Sequence, residues 1–406
     1  MIHPKDMENN SQQTRPPKWK RPGAVVLGGD FHGLAIVRSL GRHGVPVVIV
    51  DDEYSIGRFS KYTTRAVRAP NLRDEKGTVD FLLDLGKKLD LKGWVLYPTR
   101  DEHVVAFSRC KAALSEMYCV PTPEWDITRW AWNKWNTYSL AQKLAIPIPR
   151  TWCPRTLEDI DKIDAEFPLG VKPSVKEDFF YATKAKAWRA NSREELKDLF
   201  QRATSHVGSN EVLVQEIIPG DGACQFSCCM FIKDGAAVGT MEAQRWRQHP
   251  PEFGRAATFV ESIDLPVIKE PTLRFLRAIN YYGLAEVEYK LDRRDGQYKL
   301  LDVNARTWGF HSLGSPAGVD FSYMLYADQV GDPVGNCHGR SGLGWIRMIT
   351  DIPTSLQGIL AGRLDLRTYL QSLKEFKIES VFSSEDILPS LAEIALIPYL
   401  AIKRGY

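Results

Sequence analysis

Residues 284–309 read LAEVEYKLDRRDGQYKLLDVNARTWG, two alternating runs flanking an Asp295-Gly296 pair. Period-2 alternation around Asp-Gly predicts a β-hairpin. Folding about residue 295 would set Leu291 opposite Lys299, Tyr289 opposite Leu301 and Glu288 opposite Asp302. One face then carries Ala285, Val287, Tyr289, Leu291, Leu301 and Val303, and the other Glu286, Glu288, Asp302 and Asn304. Directly opposed positions lie ~5 Å apart, where two carboxylates repel by roughly 3 kcal/mol at an effective dielectric of about 20. Two readings are open. Either the face is a solvated, charged strand screened by Lys290, or a cation relieves the repulsion. Oxygen donors with no His or Cys beside them suit a hard ion, Mg²⁺ before Ca²⁺. Arg306 follows closely and suits a phosphate or a carboxylate.

Working outward, the 406 residues are enough for two or three domains with ample core. The net charge is +3, and residues 1–22 account for all of it, with Lys5, Arg15, Lys18, Lys20 and Arg21 against Asp6 and Glu8. The remainder is near neutral, which argues against a nucleic-acid-binding groove. Seven cysteines, with no CxxC pair and no secretory signal ahead of them, fit a reducing cytoplasm. The longest apolar run, Ile387 to Ile402, is broken by Pro389, Glu393 and Pro398, so no membrane span is expected. Its Leu391–Leu400 part is amphipathic and is expected to dock on the body of the protein rather than on a membrane.

Residues 1–22, rich in Asn, Gln, Lys and Pro, read as a disordered arm. Structure is expected from Ala24, with a strand, the glycine turn Gly28 to Gly33, a helix and a second strand ending at Asp51. This is a Rossmann-like β-α-β opening. Its GGxxxG spacing, with Asp30 inside the turn, departs from the dinucleotide fingerprint and makes NAD binding a weak reading. A further strand, 93–97, leads to Thr99, Arg100 and Asp101, at the strand end where open α/β sheets bind ligands. A helix N-cap is the competing role for these residues. Residues 152–235 read as a small α+β lobe that includes Lys172 in an apolar strand, Lys184–Ala190 as a second strand, and a hairpin across Lys233-Asp234-Gly235. Arg245 and Arg247, two apart, are expected on one face of an extended segment.

In sequence order, Lys134, Lys172, Gln215-Glu216-Ile217-Ile218, Glu288 and Asp302-Val303-Asn304-Ala305-Arg306 resemble the ATP-grasp superfamily. The likeness is to the predicted ATP-dependent carboligases that include D-aspartate ligase-type enzymes. Its most specific part is an acid followed, fourteen positions on, by acid-x-Asn-x-Arg. The resemblance implies an α/β ATP-grasp fold with a Rossmann-like domain over residues 23–125 and the ATP-grasp domain over 126–335. A C-terminal extension, 336–406, would follow. It implies ATP as substrate, with Lys134, Lys172 and Lys184 on phosphates, Glu216 and Ile218 at the adenine and Asp221 at the ribose. Glu288, Asp302 and Asn304 would hold Mg²⁺, or Mn²⁺, and Arg306 and Arg247 would bind phosphoryl or substrate carboxylate oxygens. The implied activity is ligation of a small-molecule carboxylate to an amine or thiol through an acylphosphate. An ATP-binding regulatory or scaffold protein without turnover is the alternative. Oligomeric state is open, a homodimer among the options. One departure stands out: the phosphate-covering loop is usually glycine-rich, whereas Ser174 to Tyr181 reads SVKEDFFY.

Overall fold

The computed structural model describes residues 21–254 and 256–404. The sequence-expected arm lies outside them except for its last two residues. Arg21 donates to the His43 carbonyl (2.7 Å), and the Pro22 carbonyl accepts from Tyr326 Oη.

Five parallel strands open the fold: β1 (Ala24–Leu27), β2 (Val47–Asp51), β3 (Arg65–Arg68), β4 (Trp94–Pro98) and β5 (Tyr118–Cys119), in spatial order β3-β2-β1-β4-β5. Strands β1, β2 and β4 are buried throughout, as their near-continuous apolar sequences require of a parallel sheet covered on both faces. Helices α2 (Glu75–Leu89) and α3 (Asp101–Arg109) cover one face. Helix α1 (Phe31–Arg42) covers the other, and its Ile36, Val37 and Leu40 share a core with Cys229, Phe231 and Met241 of the large sheet described next. The first domain is thus fused to the body through a common core.

After α4 (Lys111–Ser115), α5 (Trp125–Trp132) and α6 (Lys134–Lys143), a four-stranded antiparallel sheet forms the small lobe. It holds β6 (Thr151–Trp152), β7 (Leu169–Pro173), β8 (Trp188–Ala190) and β9 (Val212–Glu216) in the order β6-β9-β7-β8. Alternation along β7 sends Leu169 and Val171 into a core with α7 (Leu157–Asp161) and α9 (Arg193–Thr204), and Lys172 to the opposite side. Helix α8 (Lys176–Thr183) lies between β7 and β8.

The large sheet runs β14 (Gln297–Asn304), β13 (Gly283–Asp292), β10 (Gln225–Lys233), β11 (Ala236–His249), β12 (Ala256–Ile263), β16 (Gly344–Ile346) and β17 (Phe376–Glu379), with β15 (Cys337–His338) beside β11. Two boundaries therefore differ from those expected. The hairpin around residue 234 stands in the middle of this sheet rather than in the small lobe. Residues beyond 336 add β15, β16 and β17 to the same sheet rather than a separate extension. One face of β13, β14 and β10 packs on α5, α6 and α10 (Lys269–Ala278) through Val287, Tyr289, Val303, Phe226 and Phe275. Phe275 is fully buried, and Phe275→Ala should cost about 3–5 kcal/mol in chemical denaturation, because the hairpin above it loses its floor.

Three further helices, α11 (Gly314–Ala317), α12 (Phe321–Gln329) and α13 (Met348–Leu360), precede α14 (Leu366–Glu375) and the last helix, α15 (Leu388–Arg404). Helix α15 docks only in part. Leu396 packs on Leu34 and Ile56 of the first domain, as expected of this segment, while Leu391, Ile394 and Ile397 on its other side stay exposed.

Candidate active site

The predicted hairpin forms, and its register at the acidic end is the expected one: Glu288 opposes Asp302 and Glu286 opposes Asn304. Between Glu288 and Tyr289 the register shifts, so that Tyr289 pairs with Leu300 and Leu291 with Tyr298. The extra residue, Leu301, leaves the apolar face where alternation had put it and lines a cavity of about 940 Å³. That size suits a nucleotide-sized ligand. The cavity lies where the two sheets of the body meet the first domain, and Glu286, Glu288, Asp302, Asn304 and Arg306 all border it.

Opposed carboxylates need compensation, and three side chains supply it. Lys134 Nζ donates to Asp302 Oδ1 at 2.5 Å, Arg245 Nη2 pairs with Glu288 Oε2 at 3.1 Å, and Asn304 Nδ2 donates to Glu288 Oε1 (3.0 Å) and Glu286 Oε2 (3.1 Å). Burial alone would raise both pKa values. The Lys134 charge holds the Asp302 carboxyl below its usual range, and Arg245 and Lys186 do the same for Glu288. Glu286 is different: burial and then the Glu288 charge push it up to about 7, although Ser227 Oγ donates to it at 2.7 Å. Glu286 and Glu288 thus sit close enough on one strand face for their charges to oppose each other. Together with an all-oxygen donor set, this fits a divalent hard cation. Glu286 was absent from the metal set drawn from sequence. Its place two residues before Glu288 and opposite Asn304 was the signal that could have added it.

Facing the acids are amines from the small lobe. Lys172 Nζ donates to Tyr138 Oη (2.6 Å) and Gln215 Oε1 (2.7 Å), and burial followed by the nearby Lys134 charge lowers its pKa to about 7. Lys186 lines the cavity and donates to the Gly254 carbonyl (2.9 Å), and burial lowers its pKa to about 8. The residue expected here, Lys184, is not at the site. It ends α8 in the left-handed region (φ 59°), is exposed and does not border the cavity. The KAKAW alternation suggested a strand from residue 184, but the strand starts at Trp188.

Arg247 is likewise displaced. A bulge between Arg245 and Arg247 makes Trp246 an extra residue and reverses the alternation. Arg245 then shares a side with Gln248, whose Oε1 it reaches at 3.4 Å, and points to Glu288. Arg247 instead grips the buried Asp351 carboxylate with Nε (2.8 Å) and Nη2 (2.9 Å), and donates to Ser372 Oγ (2.8 Å). It fixes α13 and α14 to the sheet. Of these two arginines, Arg245 is the one that borders the cavity.

Strand β9 leads into the segment expected to meet adenine. Glu216, Ile218 and Asp221 border the cavity, Ile218 being buried and Asp221 exposed. The Glu216 carboxylate is engaged elsewhere: it accepts from Arg150 N (3.0 Å) and pairs with Arg294 (3.4 Å) and Lys299 (3.5 Å) near the hairpin turn. Its backbone N–H donates to the Arg150 carbonyl (2.9 Å). Glu216 thus ties the end of β9 to the hairpin. Asp221 Oδ1 accepts from Ala223 N at 3.0 Å.

The stretch Ser174–Tyr181, anomalous for a glycine-rich loop, is mostly helix α8, and its bulky residues have partners. Lys176 pairs with Asp101, Tyr181 Oη donates to Glu102, and the Arg73 guanidinium lies 3.8 Å above the Tyr181 ring. Asp101 also accepts from Arg306 Nε (2.6 Å) and Nη2 (3.2 Å), and Arg306 Nη2 reaches Asn304 Oδ1 (3.2 Å). One carboxylate therefore joins the first domain, the small lobe and the hairpin, and the two cations hold it well below the usual carboxylate range against burial. Asp101→Asn should lower stability by about 1.5–3 kcal/mol in denaturant titration, because Arg306 and Lys176 lose a charged, mostly buried acceptor. Phe31 and His32 of α1 complete the cavity from the first domain. Asp51, the ribose partner in the NAD reading, instead accepts from Gly29 N (2.6 Å) and Glu53 N (3.0 Å), closing its own turn.

Comparison with known proteins agrees with this geometry. Residues 187–326 match the family described as carbamoyl-phosphate synthase L chain, ATP binding domain. The D-aspartate ligase of Enterococcus faecium is 24% identical over 323 residues, covering 75% of this chain and 76% of that protein. Among solved structures, L-amino acid ligase from Bacillus licheniformis superposes with TM-score 0.60 at 17% identity, over 76% of this chain and 74% of that one. N5-carboxyaminoimidazole synthetase from Staphylococcus aureus complexed with ADP gives 0.61 at 16% identity, over 79% and 80%. The protein has the ATP-grasp fold and resembles the ATP-dependent carboligases of the D-aspartate ligase type.

Proposed function

We propose that the protein is an ATP-dependent ligase that joins a small-molecule carboxylate to an amine through an acylphosphate. The observation that carries this reading is the meeting, in one cavity, of Lys134, Lys172, Lys186 and Arg245 with the Glu286, Glu288, Asp302 and Asn304 cluster. Separately each is a structural ion pair or a charged strand. Opposed across a cavity, a cationic wall and an acidic wall hold polyphosphate between them, the amines meeting its oxygens directly and the carboxylates doing so through Mg²⁺ or Mn²⁺. The bound ion would supply charge neutralisation at the β- and γ-phosphates.

The chain's own residues then have three tasks. Burial lowers Lys172 to about 7 and Lys186 to about 8, so above those values each gains charge on meeting phosphate, and part of its attraction appears only when ligand is present. Arg306, fixed by Asp101, offers its guanidinium edge to the substrate carboxylate or the transferring phosphoryl group. Helix α8, tied to α3 through Tyr181 and Glu102, brings Lys176 to the edge of the cavity. The carboxylate oxygen attacks the γ-phosphorus and the bond to the β-bridging oxygen breaks, giving acylphosphate and ADP. The amine then attacks the acyl carbon, and phosphate leaves as the amine loses a proton. Positioning and electrostatics suffice for both steps, with no covalent attachment to the protein.

The names of the similar proteins, D-aspartate ligase and L-amino acid ligase, favour an amino acid as one of the two substrates. The reading without turnover rested on the bulky loop, and that motive weakens because α8 delivers Lys176 to the cavity edge. Positional isotope exchange tests the intermediate. With ATP labelled in its β,γ-bridging oxygen and a carboxylate substrate but no amine, label should scramble into the β-non-bridging positions. Ligation without scrambling under any amine-free condition would remove a reversible acylphosphate step.

A further inference from the structure

Among the described residues, Glu242, Asp264 and His338 bring their metal-ligating atoms within 4.8 Å of one another. The sheet assembles them from three distant segments. Glu242 stands on β11, Asp264 follows the last residue of β12, and His338 belongs to β15, whose pairing sets it beside Thr240 of β11. Glu242 is opposite Cys228 of β10, so it faces the α10 side of the large sheet, away from Arg245 and the acids of the cavity. None of the three borders that cavity.

The Glu242 carboxylate is what points to an ion. Glu242 is 0% exposed, yet neither of its oxygens has a hydrogen-bond partner. Lys269 Nζ lies 3.5 Å from Oε1 and His338 Nε2 lies 3.7 Å from Oε2, near enough to attract without hydrogen-bonding. A buried carboxylate is costly unless it is paired and hydrogen-bonded or coordinates a metal. Lys269 acts as a counter-ion but leaves both oxygens without a donor. The His338 ring is oriented from its other nitrogen: Thr240 Oγ1 lies 2.8 Å from Nδ1, with Lys269 Nζ at 3.4 Å. With Nδ1–H donating to Thr240, the Nε2 lone pair faces Glu242. Donors around a tetrahedral ion with bonds of about 2.1 Å stand about 3.4 Å apart, so the 3.7 Å separation needs little closure. Asp264 and His338 are exposed, and their side chains can swing in to complete the set. One imidazole with two carboxylates suits a first-row transition ion, whereas Mg²⁺ prefers oxygen donors alone.

We propose that Glu242, Asp264 and His338 form a Zn²⁺ site, completed by water, on the face of the large sheet opposite the ATP cavity. The ion staples β15, and with it the segment after residue 336, to β11 and the end of β12. Zinc titration of the full chain against a chromophoric chelator, in excess Mg²⁺ to occupy the acidic cavity, tests it. One Zn²⁺ per chain should remain bound despite the Mg²⁺, and added zinc should raise the thermal midpoint. His338→Ala and Asp264→Asn should each weaken this binding by roughly tenfold or more and remove the zinc-dependent rise. Their metal-free midpoints should match the parent, since both side chains are exposed. Asp302→Asn, which alters the cavity alone, should bind zinc as the parent does. Displacement of zinc by Mg²⁺, or the absence of zinc binding, overturns the proposal. So does binding that ignores both His338→Ala and Asp264→Asn, or that is lost in Asp302→Asn.

Discussion

Replacing Asp302 with asparagine is expected to lower ATP-dependent ADP formation by about 10²–10³-fold, equivalent to about 3–4 kcal/mol of lost electrostatic stabilisation. Asp302 faces Glu288 across the hairpin and holds Lys134 at 2.5 Å. Asparagine keeps the size and one acceptor oxygen but removes the charge that serves both the cation and the lysine. The fold should survive, because Asp302 lies on the cavity side and Val303 beside it keeps the core contacts. A steady-state assay coupled to ADP, read beside a denaturation curve, separates the effects. Loss of ADP formation with an unchanged unfolding midpoint is the expected pair of results, and equal loss of both would make Asp302 a structural residue.

The second large effect belongs to Lys172. Its amine, with a pKa lowered to about 7, is mostly neutral above pH 7 in the free protein. Phosphate oxygens favour its charged form, so ATP binding above pH 7 must take up a proton. Affinity should therefore fall as pH rises, by up to about tenfold per pH unit until the pKa in the complex is passed. Below pH 7 the amine is already charged and this dependence disappears. Lys172→Met should weaken ATP binding by about 10²-fold near pH 7, taking the charged hydrogen bonds lost as about 1.5–3 kcal/mol, and should flatten the alkaline slope. Titration calorimetry in buffers of differing ionisation enthalpy counts the protons directly. Proton uptake unchanged in the variant would assign the titration to another group, Lys186 being next in line.

How much of this was legible in the sequence depended on the range of the interaction. The acidic hairpin was readable because strand alternation and an Asp-Gly turn act within some twenty residues, whereas the Glu288–Asp302 opposition results from a turn one residue off the expected register offset by the bulge at Leu301. The bulge at Leu301 was not readable, since inserting a residue leaves the hydrophobic pattern almost intact. The same blindness put Arg247 at the cavity, where the structure has Arg245. Lys184 was misplaced because KAKAW fits a strand, whereas the preceding run pairs a helix with a left-handed end at that lysine. The departure of Ser174–Tyr181 from a glycine-rich loop was visible, but its cause was not. The partners of Lys176 and Tyr181 lie on Asp101 and Glu102, more than seventy residues away. The addition of β15, β16 and β17 to the large sheet is equally non-local, and no local propensity encodes it.

In the proposed ligase, one cavity couples ATP cleavage to the joining of an acid and an amine. The most direct test of that coupling is ADP release from Mg·ATP across a matrix of small carboxylates, amino acids among them, paired with amines. The account predicts release that requires both members of a pair and yields the amide in equal amount. Tight Mg·ATP binding with no ADP release from any pair, or release that proceeds at the same rate with either member omitted, would contradict it.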